Sequence, residues 1–188
     1  MVAPGGVLTI MGPSGSGKST LLAYVGGFLD PAFQASGTVL IGGEDMTGKT
    51  PQQRHAGILF QDPLLFPHMS VGQNLLFAIP SGDRRFSERK AKADRMLLRM
   101  DLEGLFDHDP ARLSGGQKAR VALARTLLSQ PRALLLDEPF SKLDVALREQ
   151  MRELVFAHAR ERMLPVILVT HDPADAAAAG GQTVTIGT

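Results

Sequence analysis

The segment from Gly12 to Thr20, GPSGSGKST, constrains the fold of this chain more than any other. It follows the apolar run VLTIM and precedes LLAYV, so it fits the turn between a buried strand and a helix. Glycines let the backbone curl so that its N–H groups converge on a phosphate, and a helix N-terminus adds a positive dipole end. The spacing therefore predicts a phosphate-binding P-loop. The alternative is a glycine turn without a ligand.

The P-loop pattern assigns a task to two side chains. The Lys18 ammonium would reach the outer phosphates of a nucleotide, and the Ser19 hydroxyl would coordinate Mg²⁺. The predicted nucleotide-binding residues are Gly12, Pro13, Ser14, Gly15, Ser16, Gly17, Lys18, Ser19 and Thr20.

Short apolar runs alternate with helical patterns along the rest of the chain. The predicted buried strands cover residues 6–12, 38–43, 56–61, 133–139 and 165–171. Such alternation is typical of an α/β fold with a mostly parallel sheet covered by helices on both faces. Residues 74–128 contain no strand pattern and predict an inserted helical subdomain. We therefore expect one domain over residues 1–188, with its nucleotide-binding core in residues 1–73 and 129–188.

Composition excludes several classes of function. The net charge is +1, which argues against a protein that binds a nucleic-acid backbone. The chain has no cysteine, so disulfides and thiolate metal sites are excluded. No apolar run approaches the roughly 18 residues of a membrane span, so we expect any membrane role to require a partner that spans.

A second chemical motif stands at the end of a predicted strand, in ALLLDEP at residues 133–139. Asp137 at such a strand end can hold Mg²⁺ from the side opposite Ser19. The next residue, Glu138, can accept a proton from an attacking water. The alternative is an acidic turn without a catalytic role, ended by Pro139. The presence of a P-loop in the same chain makes that alternative less favoured than a metal and catalytic site.

A third motif, LSGGQ at residues 113–117, predicts a second helix N-terminus able to bind an anion. Ser114 occupies the N-cap position, and Gly115 and Gly116 leave the backbone bare. An ordinary capped helix is the alternative. One nucleotide does not need two such helix starts from one chain.

Taken in order, these motifs resemble those of the ATP-binding cassette (ABC) ATPases, over nearly the whole chain. The resemblance implies a P-loop NTPase (RecA-like) fold whose helical subdomain carries the LSGGQ signature. Gln61 resembles the Q-loop glutamine that contacts Mg²⁺ and faces the transmembrane partner. His171 resembles the switch histidine that contacts the γ-phosphate. Residues 141–144 resemble the D-loop, with Lys142 where a small residue or asparagine is more usual.

The resemblance implies ATP and Mg²⁺ as cofactors and a head-to-tail dimer of two such chains. The implied catalytic residues are Glu138, His171 and Gln61, and the implied metal ligands are Ser19, Gln61 and Asp137. Each ATP would lie between one P-loop and the signature of the other chain. The residues implied to act in trans are Ser114, Gly115, Gly116 and Gln117.

Residues 64–78, LLFPHMSVGQNLLFA, resemble the importer ATPases of the family. The resemblance thus implies an ATP-hydrolysing subunit on the cytoplasmic face of the cell membrane that energises solute import. Its implied partners are a second ATPase subunit, transmembrane permease subunits and a solute-binding protein, with no nucleic acid. An exporter ATPase and a soluble ABC-type ATPase that acts on ribosomes or DNA stay open, whereas the signature excludes a P-loop kinase.

Members of this family normally begin with about two antiparallel strands and an early aromatic residue that stacks on adenine. Only MVAPGG precedes Val7 here, and the first aromatic residue is Tyr24. We therefore expect the sequence upstream of Met1 to encode a strand with Tyr, Phe or Trp, because the start is assigned to an internal Met or the chain is shortened.

Overall fold

The computed structural model describes residues 1–80, 82 and 85–187, and residues 81, 83 and 84 of the predicted subdomain lie outside that part. Five parallel strands form the central sheet: β1 (Val7–Met11), β4 (Ala56–Leu59), β5 (Ala133–Asp137), β6 (Val166–Val169) and β7 (Gln182–Thr185). They lie side by side in the order β4-β5-β6-β1-β7. The prediction of a mostly parallel α/β sheet is confirmed.

Helices connect the strands, and polar caps mark where several of them begin. The helices are α1 (Lys18–Gly26), α2 (Pro51–Arg54), α3 (Val71–Ala78), α4 (Phe86–Arg99), α5 (Gly115–Leu128), α6 (Val145–Glu161) and α7 (Pro173–Ala179). Ser70 and Ser114 form capping boxes, and Asp144 and Asp172 accept hydrogen bonds from backbone N–H groups of α6 and α7. Each cap satisfies helix N–H groups that lack an intrahelical partner.

The strand predicted over residues 38–43 is shorter than expected and lies outside the parallel sheet. There β2 (Leu40–Ile41) pairs antiparallel with β3 (Glu44–Asp45) in a separate two-stranded sheet. Gly42 and Gly43, with φ of 60° and 81°, form the two-residue connection between these strands. Hairpin turns with positive φ at both central residues favour Gly-Gly. The apolar run therefore marks a short hairpin that packs Ile41 into a small cluster beside the sheet.

The apolar core lies on both faces of the parallel sheet. Leu134 and Leu136 pack in the large cluster that includes side chains of α5 and α6. Leu135, between them, packs with Leu22 of α1 in a second cluster. This alternation is expected of a strand whose successive side chains point to opposite faces.

Helices α3, α4 and α5 pack against one another, beside the parallel sheet. Helix α3 begins at Val71, three residues before the predicted start of the helical subdomain, and α5 ends at Leu128, where that subdomain was expected to end. The division of the chain into a core and an inserted subdomain stays a prediction. Among the described residues, none of the helices has both the length and the apolar content that crossing a membrane requires.

The sheet brings the ends of distant chain segments together. Strands β1, β4, β5 and β6 run parallel, so their carboxyl ends lie at one edge. The P-loop follows β1, Gln61 follows β4, Glu138 follows β5 and His171 follows β6. Ligands of open α/β sheets bind outside this edge. The fold thus places the predicted P-loop and catalytic residues on the side where a ligand is expected.

Candidate functional site

The backbone of the P-loop requires glycine at two positions. A Cβ on Gly12 would lie 2.3 Å from the carbonyl oxygen of Ile186, so the neighbouring chain leaves no room for a side chain. Gly17 precedes α1 with a φ of 87°, in the left-handed region that other residues rarely adopt. Within the described residues, no side chain caps the N-terminus of α1. Its N–H groups therefore suit an anion.

The Lys18 side chain is folded back over the P-loop. Its Nζ donates hydrogen bonds to the carbonyl oxygens of Gly12, at 3.0 Å, and Pro13, at 2.7 Å. Only 8% of the residue is exposed, so the charge is held close to the loop that precedes α1. A buried ammonium beside an uncapped helix N-terminus is a positive site, and its charge and shape fit a polyphosphate.

Asp137, at the end of β5, is half-buried beside groups of both charges. Burial raises the pKa of its carboxyl group above the usual range, and the negative charge of Glu138 acts in the same direction. A hydrogen bond with the Ser19 side chain and the positive charge of Lys18 oppose this rise in pKa. Hydroxyl and carboxylate oxygens are the donors that Mg²⁺ takes beside phosphate and water oxygens, so Ser19 and Asp137 fit this ion.

Glu138 and His171 contact each other beyond the ends of β5 and β6. The distance between Glu138 Oε1 and His171 Nδ1 is 2.9 Å. The Glu138 backbone is in the left-handed region, with a φ of 46°, and its N–H donates to the Val169 carbonyl oxygen at 2.9 Å. This fixed backbone aims the carboxylate at the imidazole. The carboxylate, a proton acceptor, and the imidazole, a polar ring, are therefore close enough together to contact the same substrate oxygen.

Gln61 lies on the same side of the sheet. Together with Glu138 and His171 it lines a pocket of about 170 Å³. The next residue, Asp62, forms an ion pair with Lys142, the residue that departs from the usual D-loop pattern. Lys142 thus joins the segment after Glu138 to the segment after Gln61. The structure brings Gln61, Glu138 and His171 together, as expected for residues that share a reaction.

The predicted signature residues form a capped helix start elsewhere in the chain. Ser114 Oγ accepts a hydrogen bond from the Gln117 N–H at 3.2 Å, and Gln117 Oε1 accepts one from the Ser114 N–H at 2.9 Å. Helix α5 packs against α3, α4 and β4, whereas α1 packs against β5 and β6. Among the described residues no hydrogen bond joins Ser114, Gly115, Gly116 or Gln117 to the P-loop. In a single chain these residues thus begin a helix whose main packing partners differ from those of α1.

Two sets of polar contacts near the site were missed in the sequence analysis. Arg125 of α5 donates to the carbonyl oxygens of Pro63, at 3.3 Å, and Leu64, at 2.9 Å, and so holds the segment after Gln61. Burial lowers the pKa of this guanidinium. The spacing of Arg125 on an amphipathic helix gave no signal that separates it from an exposed arginine.

The second missed set surrounds the residues on either side of His171. Arg148 and Arg152, one turn apart on α6, both bind Asp172, and Arg152 also binds Asp175. The only sequence signal was the i,i+4 spacing of the two arginines, which is equally common on a solvated helix face.

Known proteins resemble this chain over most of its length. A profile of the family described as "ABC transporter" matches residues 1–141. The "Uncharacterized ABC transporter ATP-binding protein YnjD" of Escherichia coli (strain K12) is 52% identical over 174 residues, which are 93% of this chain and 80% of that protein. The "Thiamine import ATP-binding protein ThiQ" of Salmonella paratyphi A (strain ATCC 9150 / SARB42) is 44% identical over 185 residues, 98% of this chain and 77% of that protein.

Solved structures resemble it as well. The "Dimeric structure of a post-hydrolysis state of the ATP-binding cassette MJ0796 bound to ADP and Pi" superimposes with a TM-score of 0.87 at 32% sequence identity. The match covers 99% of this chain and 83% of that one. A second structure, "Dimeric Structure of MJ0796, a Bacterial ABC Transporter Cassette", matches with the same TM-score, 0.87.

Proposed function

This chain belongs to the ABC transporter ATP-binding proteins, and on that premise we propose that it hydrolyses ATP to drive the import of a small solute through a separate permease. Family membership confirms the resemblance on which the sequence analysis relied and makes the chain an ATPase with the P-loop NTPase fold. The observation that carries the import proposal is the 44% identity to a thiamine import ATP-binding protein over 98% of this chain. The permease would hold the chain at the cytoplasmic face of the membrane.

We propose that hydrolysis takes place at the carboxyl edge of the sheet. Lys18 and the N–H groups at the start of α1 bind the outer phosphates of ATP. Glu138 accepts a proton from the attacking water, whose oxygen bonds to the γ-phosphorus as the bond to the ADP oxygen breaks. His171, 2.9 Å from Glu138, lies where it can donate to a γ-phosphate oxygen. This assignment leaves Gln61, which lines the same pocket, to orient the water or the metal.

Mg²⁺, when bound, neutralises charge on the phosphates. We propose Ser19, Asp137 and Gln61 as the residues that hold it. Support comes from the Ser19 side chain, which influences the pKa of the Asp137 carboxyl group, and from the raised pKa of Asp137, since an adjacent cation relieves the cost of a half-buried carboxylate.

We propose that two chains form a head-to-tail dimer around two ATP molecules. The MJ0796 cassette is described as dimeric, which supports a dimer here. The bond from Gln117 N–H occupies a lone pair of Ser114 Oγ and leaves the hydroxyl proton as a donor for a phosphate oxygen. Because Ser114 and Lys18 lie at the starts of helices with different packing partners, we assign the two residues that contact one ATP to two different chains. A twofold axis would make both contacts at once.

We propose that the permease docks beside the segment that follows Gln61. Leu64 and Phe77 expose 59% and 64% of their surface next to a groove of about 280 Å³. Exposed apolar side chains that cluster beside a groove are typical of protein interfaces. Arg125 ties this segment to α5, so a shift of the segment would be transmitted to the helix that begins at the signature.

The proposal is tested by purifying the chain with the membrane protein encoded beside it and measuring ATP hydrolysis in lipid vesicles. Solute-stimulated hydrolysis, with thiamine as the first solute tried, is the expected result. Phe77→Ser should weaken co-purification, whereas the control Leu98→Ser, an exposed residue of α4, should not. ATP hydrolysis that responds to ribosomes or DNA and not to the permease would contradict the proposal in favour of a soluble ABC-type ATPase.

A further inference from the structure

The position of His171 depends on the residues beside it. Its ring contacts Glu138, and its side chain is 66% exposed, so little packing holds it in place. The preceding residue, Thr170, is buried and donates from Oγ1 to Asp175 Oδ2 at 2.6 Å. The following residue, Asp172, donates from its backbone N–H to Thr170 Oγ1 at 3.0 Å. The backbone on both sides of His171 is thus fixed by polar contacts.

Two arginines of α6 complete this anchor. The Asp172 carboxylate accepts hydrogen bonds from Arg148 Nη1 at 3.0 Å and from Arg152 Nη2 at 3.1 Å. Arg152 Nε also donates to Asp175 Oδ1 at 2.6 Å, and Asp175 is only 3% exposed. Removing one partner of such a buried pair leaves an uncompensated charge. Arg152 is therefore mainly a structural residue.

Arg148 differs from Arg152 in what its second nitrogen contacts. Its Nη2 donates to the carbonyl oxygen of Leu143 at 3.1 Å, in the D-loop segment 141–144. In the same segment, Ser141 Oγ donates to the Glu138 carbonyl oxygen at 2.9 Å. One guanidinium therefore joins the segment that follows Glu138 to the segment that follows His171.

Arg148 also has a buried donor without a partner. Among the described residues, no acceptor pairs with its Nε, although that atom is shielded from solvent. An unpaired buried donor costs stability. The contacts of Nη1 and Nη2 therefore determine where this side chain lies.

We propose that Arg148 is a positioning residue that ties the placement of His171 to that of residues 141–144 and so keeps His171 in contact with Glu138. The inference rests on the proposed function, because it assigns Glu138 and His171 to ATP hydrolysis. Among the described residues, no hydrogen bond or ion pair joins Arg148 to either side chain of the pair, so its loss should misplace the pair without removing it.

The test compares three variants of the full chain. Arg148→Met keeps the apolar stem and removes the guanidinium, while Arg148→Lys keeps one charged contact. Arg160→Met is the matched control, because Arg160 is an exposed arginine about three turns further along the same helix. We expect Arg148→Met to lower kcat for ATP by roughly 10- to 100-fold, with KM within about threefold of wild type. The kcat of Arg148→Lys should lie between those of Arg148→Met and wild type, and the kcat of Arg160→Met should equal that of wild type.

A second measurement does not depend on activity. The chain has five histidines, so ¹⁵N labelling of histidine gives few ring signals, and His171→Gln identifies that of His171. Arg148→Met should shift the His171 ring signal and leave the other histidines unchanged. If Arg148→Met changes neither the His171 signal nor kcat, the inference is overturned. It is also overturned if Arg148→Met shifts all histidine signals and Arg160→Met loses as much kcat as Arg148→Met does. If wild type hydrolyses no ATP, the proposed function fails, and the ring signal still decides this inference.

Discussion

His171 Nδ1 and Glu138 Oε1 lie 2.9 Å apart, across the ends of the adjacent strands β6 and β5. The contact orients a carboxylate that a rigid backbone already aims, since the Glu138 N–H is bound to Val169. The imidazole can donate one N–H to this carboxylate and the other to a phosphate oxygen only when both ring nitrogens carry a proton. The role proposed for Glu138 therefore requires its basicity as well as its position.

Glu138→Gln separates these two properties. Glutamine keeps the oxygen that accepts from His171 but takes up a proton far less readily than a carboxylate. We expect ATP binding to be retained and turnover to fall by roughly 10²- to 10⁴-fold, the range for loss of a general base. The ATP-bound dimer should accumulate and be visible by size-exclusion chromatography.

The matched control for that variant is Glu153→Gln, the same substitution at an exposed position of α6. It should leave both turnover and the dimer equilibrium unchanged. Turnover near the wild-type rate in Glu138→Gln, measured with the permease present, would remove Glu138 from the reaction.

The substitution Asp137→Asn should lower ATP turnover and raise the stability of the folded chain. Burial and the charge of Glu138 raise the pKa of Asp137, so the folded chain binds this proton more tightly than the unfolded chain does. Ionisation of Asp137 therefore lowers the free energy of unfolding as the pH rises from the unfolded pKa through the raised folded pKa. Without metal, the melting temperature of the variant should be at or above that of wild type, while its ATP turnover should fall.

The response to ligand supplies the check on this interpretation. ATP with Mg²⁺ should raise the melting temperature of wild type more than that of Asp137→Asn, because a ligand stabilises in proportion to its affinity. A variant that is less stable than wild type in EDTA would show that Asp137 serves the fold more than the metal.

His158, buried in α6, predicts a loss of stability in mild acid. Burial lowers its pKa below the ordinary value of 6.5, and the positive charges of Arg162 and Arg99 lower the pKa further. The negative charge of Glu161 opposes this shift by raising the pKa. The unfolded chain then binds this proton more readily, so the free energy of unfolding falls as the pH drops from about 6.5 towards the folded pKa. Urea unfolding at several pH values should show this loss in wild type and less of it in His158→Phe.

The control for this prediction is His108→Phe, since His108 is exposed. Its stability should change with pH as wild type does. Parallel pH profiles for wild type and His158→Phe would assign the acid sensitivity to other groups.

The parts of the site that depend on local sequence could be predicted. Gly12 to Thr20 needs a strand before it and a helix after it, and Asp137 needs a buried strand before it, so adjacent residues carry the signal. The apolar run at 38–43 has the pattern of a core strand, and that pattern alone does not predict its place outside the parallel sheet. The Gly42-Gly43 pair within it is the sequence signal for a hairpin.

Contacts between distant segments could not be predicted in the same way. The bonds from Arg148 to Leu143 and Asp172 depend on how α6 lies against two loops, and a charged residue at helical spacing fits a solvated face equally well. The pair between Lys142 and Asp62 joins residues that are 80 positions apart. The unusual Lys142 was visible in the sequence, but its partner was not.

The most direct test of the account mixes two inactive variants, one chain with Lys18→Ala and the other with Ser114→Arg. In a head-to-tail dimer the two defects of a mixed pair fall on one composite site and leave the other intact. We predict that neither variant alone traps ATP in a stable dimer and that the mixture does, at one nucleotide per mixed dimer. If the mixture traps no more nucleotide than its parents, each chain uses its own P-loop and signature, and the composite site is wrong.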